Sequence, residues 1–410
     1  MANCFCRAEI LLPVKGTDFS KWAVIACDQY TSQQDYWTAA ENYVGSAPST
    51  LNMIFPEIYL GKDSSRIERI RQSMDKYLED ATVTAAVKNG YVLVERVTQS
   101  GTRMGLVGCV DLEQYDFTPA ASTLIRATEQ TVVSRIPPRV EIRRGAALEM
   151  PHVMLLIDDA ERKIIEPLFE KRGELRPLYD TELMLRGGHI RGYAIEGAQA
   201  DALDAVMADF EENCSGLLFA VGDGNHSLAT AKACWEELKP GLSESERETH
   251  PARFALVELV NLHCEALCFE PIYRLLENTG LDALKAYIDA ELASEGMSLC
   301  EGREISLTQG ERRIDADIAN RGDRLPVDII QNILDKFLKE HTEASIDYIH
   351  GVADLEGLVE STGGCGVFFD SFDKTVLFRA IKAGGVLPRK TFSIGEANEK
   401  RYYMECRKLN

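Results

Sequence analysis

The stretch Gly216-Leu217-Leu218-Phe219-Ala220-Val221-Gly222-Asp223-Gly224-Asn225-His226-Ser227 reads as a buried strand, a tight polar turn and the start of a helix. A strand ending in Val221 and followed by Gly222-x-Gly224 puts flexible backbone where a ligand can approach closely. Ser227 is expected to cap a helix running through Ala231, Ala233, Cys234 and Leu238. The free N–H groups and positive dipole end of such a helix favour an anion, typically a phosphate. Asp223 is suited to hold a metal ion or a substrate hydroxyl or amine, and His226 to bind phosphate or move a proton. The plainer alternative is a capped turn in which Asp223 stabilises backbone N–H groups and His226 lies on the surface. The stretch matches neither the dinucleotide fingerprint, which needs a third glycine, nor a phosphate loop ending in Gly-Lys-Ser/Thr.

Outward from this element the texture is α/β or α+β. Ala23 to Cys27 and Val153 to Ile157 read as strands. Asp63 to Asp80 reads as a helix with Ile67, Ile70, Met74, Tyr77 and Leu78 on one face. Tyr91 to Val97 and Met104 to Val110 form a β-hairpin around Gln99-Ser100-Gly101-Thr102. Ala200 to Phe210 has helical spacing, as do Leu281 to Leu292 and Val327 to Leu338. Gly366 to Phe369 and Thr375 to Phe378, joined by Asp370-Ser371-Phe372-Asp373, suggest a second hairpin. The resulting expectation is a mixed-sheet α/β core over 1–275, a mostly helical region over 276–362, and a hairpin with a C-terminal segment returning to the core over 363–410.

Bulk properties narrow the function. At 410 residues, 45% hydrophobic and 27% charged, the chain has the composition of an ordinary globular protein. Its 65 acidic and 45 basic residues give a net charge of −20, a field that repels a phosphate backbone, so nucleic acid is not an expected partner. Met1 to Arg7 lacks a basic segment followed by an apolar run, and no stretch approaches a membrane-spanning length; the expectation is a cytoplasmic protein with no membrane partner. The eleven cysteines have no repeating spacing and read as small buried hydrophobes of a reducing compartment.

Against that acidic background, Arg126, Arg135, Arg139, Arg143 and Arg144 cluster around Glu129 and Glu141. Arginine offers bidentate contact to phosphate or carboxylate, so this patch complements an anion at the Gly222 turn; the competing reading is a solvated, salt-bridged face. Asp28 ends an apolar strand, a usual position for a catalytic or metal-holding carboxylate, or it caps the following turn. His152 and His189 read as structural, and Lys390 as a solvated residue or a point charge for phosphate.

Several of these segments together resemble the domain-of-unknown-function 1015 family. Gly222-Asp223-Gly224-Asn225-His226-Ser227 is similar to its Asp-Gly-His-His-Arg-Tyr signature, and Ala23 to Tyr30 to its Tyr-Asp-containing early strand. Ala127-Thr128-Glu129-Gln130-Thr131 with Pro138-Arg139 resembles its His-Glu-x-Thr and Asp-Arg segments. Glu270 to Arg274 resembles its Pro-Thr-His-Arg stretch, and Leu387 to Phe392 its C-terminal Pro-Pro-Lys-Ser-Thr. The same turn is similar to the phosphate-binding element of the ParB/sulfiredoxin superfamily, which includes a nucleotide-dependent free-serine kinase. The resemblance implies a composite site. Its catalytic candidates are Asp28, Glu129, Asp223 and His226, with Asp223 also a metal candidate. Its ligand-binding candidates are Gly222, Gly224, Asn225, Ser227, Arg126, Thr131, Arg139, Arg274 and Lys390.

The sequence departs from the family pattern at Thr128, Asn225, Ser227 and Tyr273, where histidines and an arginine are expected. Ser227 removes a cation that would pair with phosphate. The expected function is a nucleotide-dependent phosphotransferase of small-molecule kinase type, or a phosphohydrolase, using ATP or ADP with Mg²⁺. The alternative is a non-catalytic nucleotide- or metabolite-binding regulatory module. In either case the partner is a small anionic ligand or nucleotide.

Overall fold

The computed structural model describes residues 3–371 and 373–409, and every count below refers to these. The chain forms two compact units, one from 1–268 with 395–410 and one from 269–394.

The first unit is built on an eleven-stranded mixed sheet. Its order runs Arg176–Leu183, Gly188–Ile195, Val83–Thr98, Gly101–Asp111, Phe254–Asn261, Met154–Ile157, Phe219–Asp223, Ile125–Ala127 and Tyr115–Asp116, with Phe5–Cys6 and Ala8–Pro13 on side branches. The left half is antiparallel, and the hairpin expected around Gln99 to Thr102 is its centre. Parallel pairing appears where Phe254–Asn261 meets Met154–Ile157 and where Phe219–Asp223 meets Ile125–Ala127.

Both faces of this sheet are buried, and the period of two along a strand decides which side chain serves which face. In the Val83–Thr98 strand, Val92 and Val94 join one apolar cluster, whereas Tyr91 and Leu93 join the other. The first cluster is covered by the helices Gln34–Val44 and Ser65–Glu79 through Trp37, Ala40, Ile70 and Met74. The second is covered by Ala198–Asn213 and Asn225–Leu238 through Leu203, Met207, Leu228 and Trp235. Ala23 to Cys27 supplies only a two-residue strand, Val24–Ile25, paired with Tyr402–Tyr403.

The second unit is a six-stranded sheet in the order Arg312–Ala319, Ser298–Gln309, Cys365–Phe369, Phe269–Glu277, Ser345–His350, with Phe392–Ile394 also on Phe269–Glu277. Two expectations are corrected here. The region 276–362 is not mostly helical: helices Leu281–Ser294, Pro326–Glu340 and Val352–Thr362 alternate with the Ser298–Gln309/Arg312–Ala319 hairpin and Ser345–His350. Ile305 to Thr308 pair with Ala316 to Arg313 on one side and with Phe369 to Gly366 on the other, which makes this stretch a central strand of the sheet. The second hairpin is also absent. Cys365–Phe369 is a strand, but its partners are Ser298–Gln309 and Phe269–Glu277. Thr375 to Phe378 instead enters a helix, Leu377–Gly384, because Leu377, Phe378, Ala380 and Ile381 bury one helical face. Asp373 accepts the Thr375 N–H at its approach, and Phe372 of the expected turn lies outside the described residues.

Candidate functional site

The strand Phe219–Asp223 lies between Met154–Ile157, antiparallel, and Ile125–Ala127, parallel. The register slips between Val221 and Asp223, which makes Gly222 the extra residue of a bulge. Bulges re-aim the side chains that follow them, and here the residue that follows is Asp223. Asp223 Oδ1 accepts the Gly224 N–H at 2.9 Å, and Gly224 adopts a left-handed conformation with φ +77°. A Cβ at Gly224 would stand 3.0 Å from Val153 Cα and 3.2 Å from His152 Cδ2.

The helix therefore starts at Asn225 with Gly224 as its N-cap, and Ser227 lies inside its first turn, correcting the expectation that Ser227 caps it. The N–H groups of Asn225 and His226, at the first two helical positions, have no carbonyl four residues behind them within the helix. Leu228, Ala231 and Trp235 fix this helix against the sheet, and Ala229 packs on Ile136 and Val140 of the neighbouring helix Ile136–Arg143. At the same place Asn225 Oδ1 and Thr131 Oγ1 are buried without a hydrogen-bond partner among the described residues. Buried polar atoms of this kind mark a place where a ligand group or water completes the bonding.

Asp28 follows the short Val24–Ile25 strand and is held against the C-terminal segment. The Ala26 N–H donates to the Arg401 carbonyl at 2.8 Å, and the Cys27 N–H to the Tyr403 hydroxyl oxygen at 3.1 Å. Tyr403 also lies 2.7 Å from His152 Nδ1. Burial, with Cys27 and Asp28 nearby, pushes the Tyr403 phenol well above its ordinary range, so it keeps its proton. In the tautomer where the phenol donates to Nδ1, the imidazole proton is on Nε2, which faces Asp28 Oδ2 at 3.9 Å. Burial alone would raise the Asp28 carboxyl. The His152 imidazole, the Gln29 amide and the Lys400 ammonium outweigh it and hold the carboxyl below its usual range.

Lys400 Nζ lies 3.2 Å from Asp223 Oδ2. Both Asp223 oxygens are thus engaged, one by the Gly224 N–H and one by an ammonium, so this donor set suits orientation of Lys400 better than coordination of a divalent ion. Among the described residues no three His, Cys, Asp or Glu side chains stand together as a metal cage.

His226 Nε2 accepts the Val132 N–H at 3.2 Å. Burial, reinforced by Arg139 and Arg135 and partly offset by Asp28, pushes its imidazole down to about 4. At neutral pH it is an uncharged latch between the helix start and the 128–132 loop, rather than a cation for phosphate. Arg139 is nearby but ion-paired with Glu57 and bonded to the Arg135 carbonyl, and Glu57 in turn donates its N–H to the Cys27 carbonyl. Thr128, where the family pattern has histidine, is buried and donates to the Val221 carbonyl at 2.7 Å. Glu129 lies half-buried just beyond the Ile125–Ala127 strand.

The structure therefore gathers Asp28, Asp223, His226, Arg139 and the Gly222 to Ser227 turn, and adds His152, Lys400 and Tyr403. Arg126 is placed elsewhere: its guanidinium donates to the carbonyls of Thr123 and Gly216, at the far end of the Phe219–Asp223 strand from the turn. Arg143 and Arg144 pair with Glu149 and Glu237, the salt-bridged-face reading of the arginine run. Arg274 and Lys390 belong to the second unit. There Arg274 is fully buried, donates to Gln331 at 2.8 Å and lies over the Tyr348 and Phe369 rings. Tyr273 packs on Phe368, and Lys390 is exposed with φ +62°.

Fold and site together define an α/β protein in which a helix start after a left-handed glycine lies beside a histidine-flanked carboxylate. The chain belongs to the family described as "Protein of unknown function (DUF1015)", whose pattern it matches over residues 11–334. No curated protein matches its sequence. Among solved structures, it is similar to a free serine kinase mutant in complex with ADP, at 11% identity and a TM-score of 0.40, covering 73% of this chain and 91% of that one. A conserved hypothetical protein from Pyrococcus furiosus gives 12% identity, a TM-score of 0.36 and coverage of 74% and 94%. C-terminally truncated SbnI from Staphylococcus aureus gives 8%, 0.36, and 70% and 82%.

Proposed function

We propose that this protein is a small-molecule kinase that transfers a phosphoryl group from ATP or ADP to a hydroxyl. The observation that carries the reading is one juxtaposition. The Asn225–Leu238 helix presents its N-terminus across a glycine turn packed on His152, and His152 faces the ionised Asp28. A helix start of this kind favours phosphate, and a carboxylate next to it is placed to act as a base.

In this reading the Asn225 and His226 N–H groups and the Lys400 ammonium receive phosphate oxygens, with Asn225 and Thr131 completing the polar lining. Asp28 takes the proton of the acceptor hydroxyl as its oxygen bonds to the terminal phosphorus. The bond from that phosphorus to the nucleotide breaks, and the shortened nucleotide leaves with the electron pair. Mg²⁺ bound by the phosphates would supply charge neutralisation on their oxygens. His152, fixed by Tyr403, orients Asp28, and Lys400, fixed by Asp223, steadies the charge.

A thermal-shift panel of ATP, ADP, AMP, CTP and GTP with and without Mg²⁺ tests this reading, because a ligand that binds only the folded state raises its melting temperature. The bound nucleotide is then mixed with serine, other hydroxyl-bearing amino acids and sugars, and turnover is followed. Absence of any nucleotide shift overturns the proposal. Binding without turnover across the acceptor set favours the non-catalytic module, for which the Glu57–Arg139 pairing also speaks, since it withdraws one cation from the ligand.

A further inference from the structure

We infer that Arg401 is a positioning residue that sets the register of all three segments bearing the polar side chains around Asp28. Its main-chain carbonyl accepts the Ala26 N–H, two residues before Asp28. Its Nε donates to the Pro151 carbonyl at 3.0 Å, one residue before His152. Lys400 precedes it directly in the chain, and Tyr403, the partner of His152, follows two residues later. Its main chain thus holds the approach to Asp28 and its side chain the approach to His152, while Lys400 is its neighbour in the chain.

The guanidinium is held from the other side by two carboxylates. It pairs with Glu258, and its Nη2 lies 2.5 Å from Glu405 Oε2. The three side chains are 3%, 1% and 0% exposed. Glu258 is itself tied to the His152 segment, since its N–H donates to the Val153 carbonyl at 3.0 Å. Glu405 also receives the Tyr179 hydroxyl. Desolvating three charges brings little net stability over an apolar core of equal volume, but the directional bonds admit only one alignment of the strands they join. Leu, Met or Ile at these places would leave the alignment of this segment to its backbone pairings alone. A slip of one residue reverses side-chain direction on a strand, which would turn Lys400 and Tyr403 away from their partners.

The functional meaning of this register rests on the reading of Asp28 as the base; the register itself does not. The test therefore uses a readout that needs no ligand. In protein carrying ¹⁵N-histidine, the imidazole spectrum contains signals from seven histidines, and His152 is assigned by their loss in H152N. The wild type is expected to show His152 with a bare Nδ1 and a protonated Nε2. In R401M the His152 pattern is expected to average between tautomers, while the signals of His189, His226, His263 and the remaining histidines keep their positions. Should R401M fail to fold, R401M/E258M/E405Q removes the stranded carboxylate charges and is measured in its place. A folded variant whose His152 pattern matches the wild type overturns the inference. An ADP thermal shift run on the same wild-type sample separates the two ideas: no shift there counts against phosphoryl transfer, and the His152 spectra still decide the role of Arg401.

Discussion

The Tyr403 hydroxyl lies 2.7 Å from His152 Nδ1, across 251 positions of sequence. This contact holds the imidazole ring whose Nε2 lies 3.9 Å from Asp28 Oδ2. Y403F removes it and strands His152 Nδ1 and the Cys27 N–H. Burial without partners is expected to lower stability by about 1–3 kcal/mol, read from chemical denaturation. Turnover is expected to fall with little change in nucleotide affinity; a variant that loses affinity and keeps its turnover number would contradict the assigned role.

D28N keeps the shape of the carboxylate and removes its basicity. Loss of a general base costs roughly a hundred- to ten-thousand-fold in rate. Turnover is expected to fall within that range while the ADP thermal shift persists. A variant as active as wild type would move the base elsewhere.

Lys400 neutralises Asp223 and lowers the Asp28 carboxyl. In K400M the Asp28 carboxyl rises, so the acidic limb of the pH–rate profile is expected to move to higher pH, and the nucleotide binds more weakly. An unmoved acidic limb shows that the ammonium does not act on Asp28.

His226 titrates at about 4 in the folded chain against an ordinary 6.5, so the unfolded chain binds the extra proton first. The stability this confers is fully present above pH 6.5 and drains away as pH falls toward 4. Melting temperatures measured over that interval are expected to fall less steeply in H226Q. Equal slopes in the two proteins would show that His226 is not held neutral by the fold.

Gly224 occupies left-handed backbone, where an L side chain costs about 1–2 kcal/mol. In G224A the added methyl also presses on Val153 and His152, so the expected loss of stability is accompanied by weaker nucleotide binding. Unaltered binding after a measured loss of stability would place the ligand away from this turn.

The strand-turn-helix was legible because everything that makes it is local: a buried apolar run, two glycines and a helical pattern within about two turns. Its cap was misplaced because a left-handed glycine at the N-cap leaves no side-chain signature, whereas Ser227 has one. The Arg126 to Arg144 run looked like a cationic patch, yet its charges are largely consumed by Glu57, Glu149, Glu237 and backbone carbonyls that only the tertiary fold brings near. His152 and Lys400 carried no readable signal. Their partners, Tyr403 for His152 and Asp223 for Lys400, lie far away in the sequence. In the second unit, strands of mixed polarity between strong helical segments were absorbed into a helical reading that the pairing of Ile305 to Thr308 contradicts.

The residues 395–410 are part of the first unit although the whole of 269–394 intervenes in the chain. Until residues 395–410 dock, Glu258 lacks its Arg401 partner and Asp223 its Lys400 partner. A chain broken off after 394 would lack Lys400, Arg401 and Tyr403 and so the bonds each makes to Asp223, Glu258 and His152. Such a fragment would be less stable than the whole chain, so the first unit is completed only by the segment most distant from it in sequence.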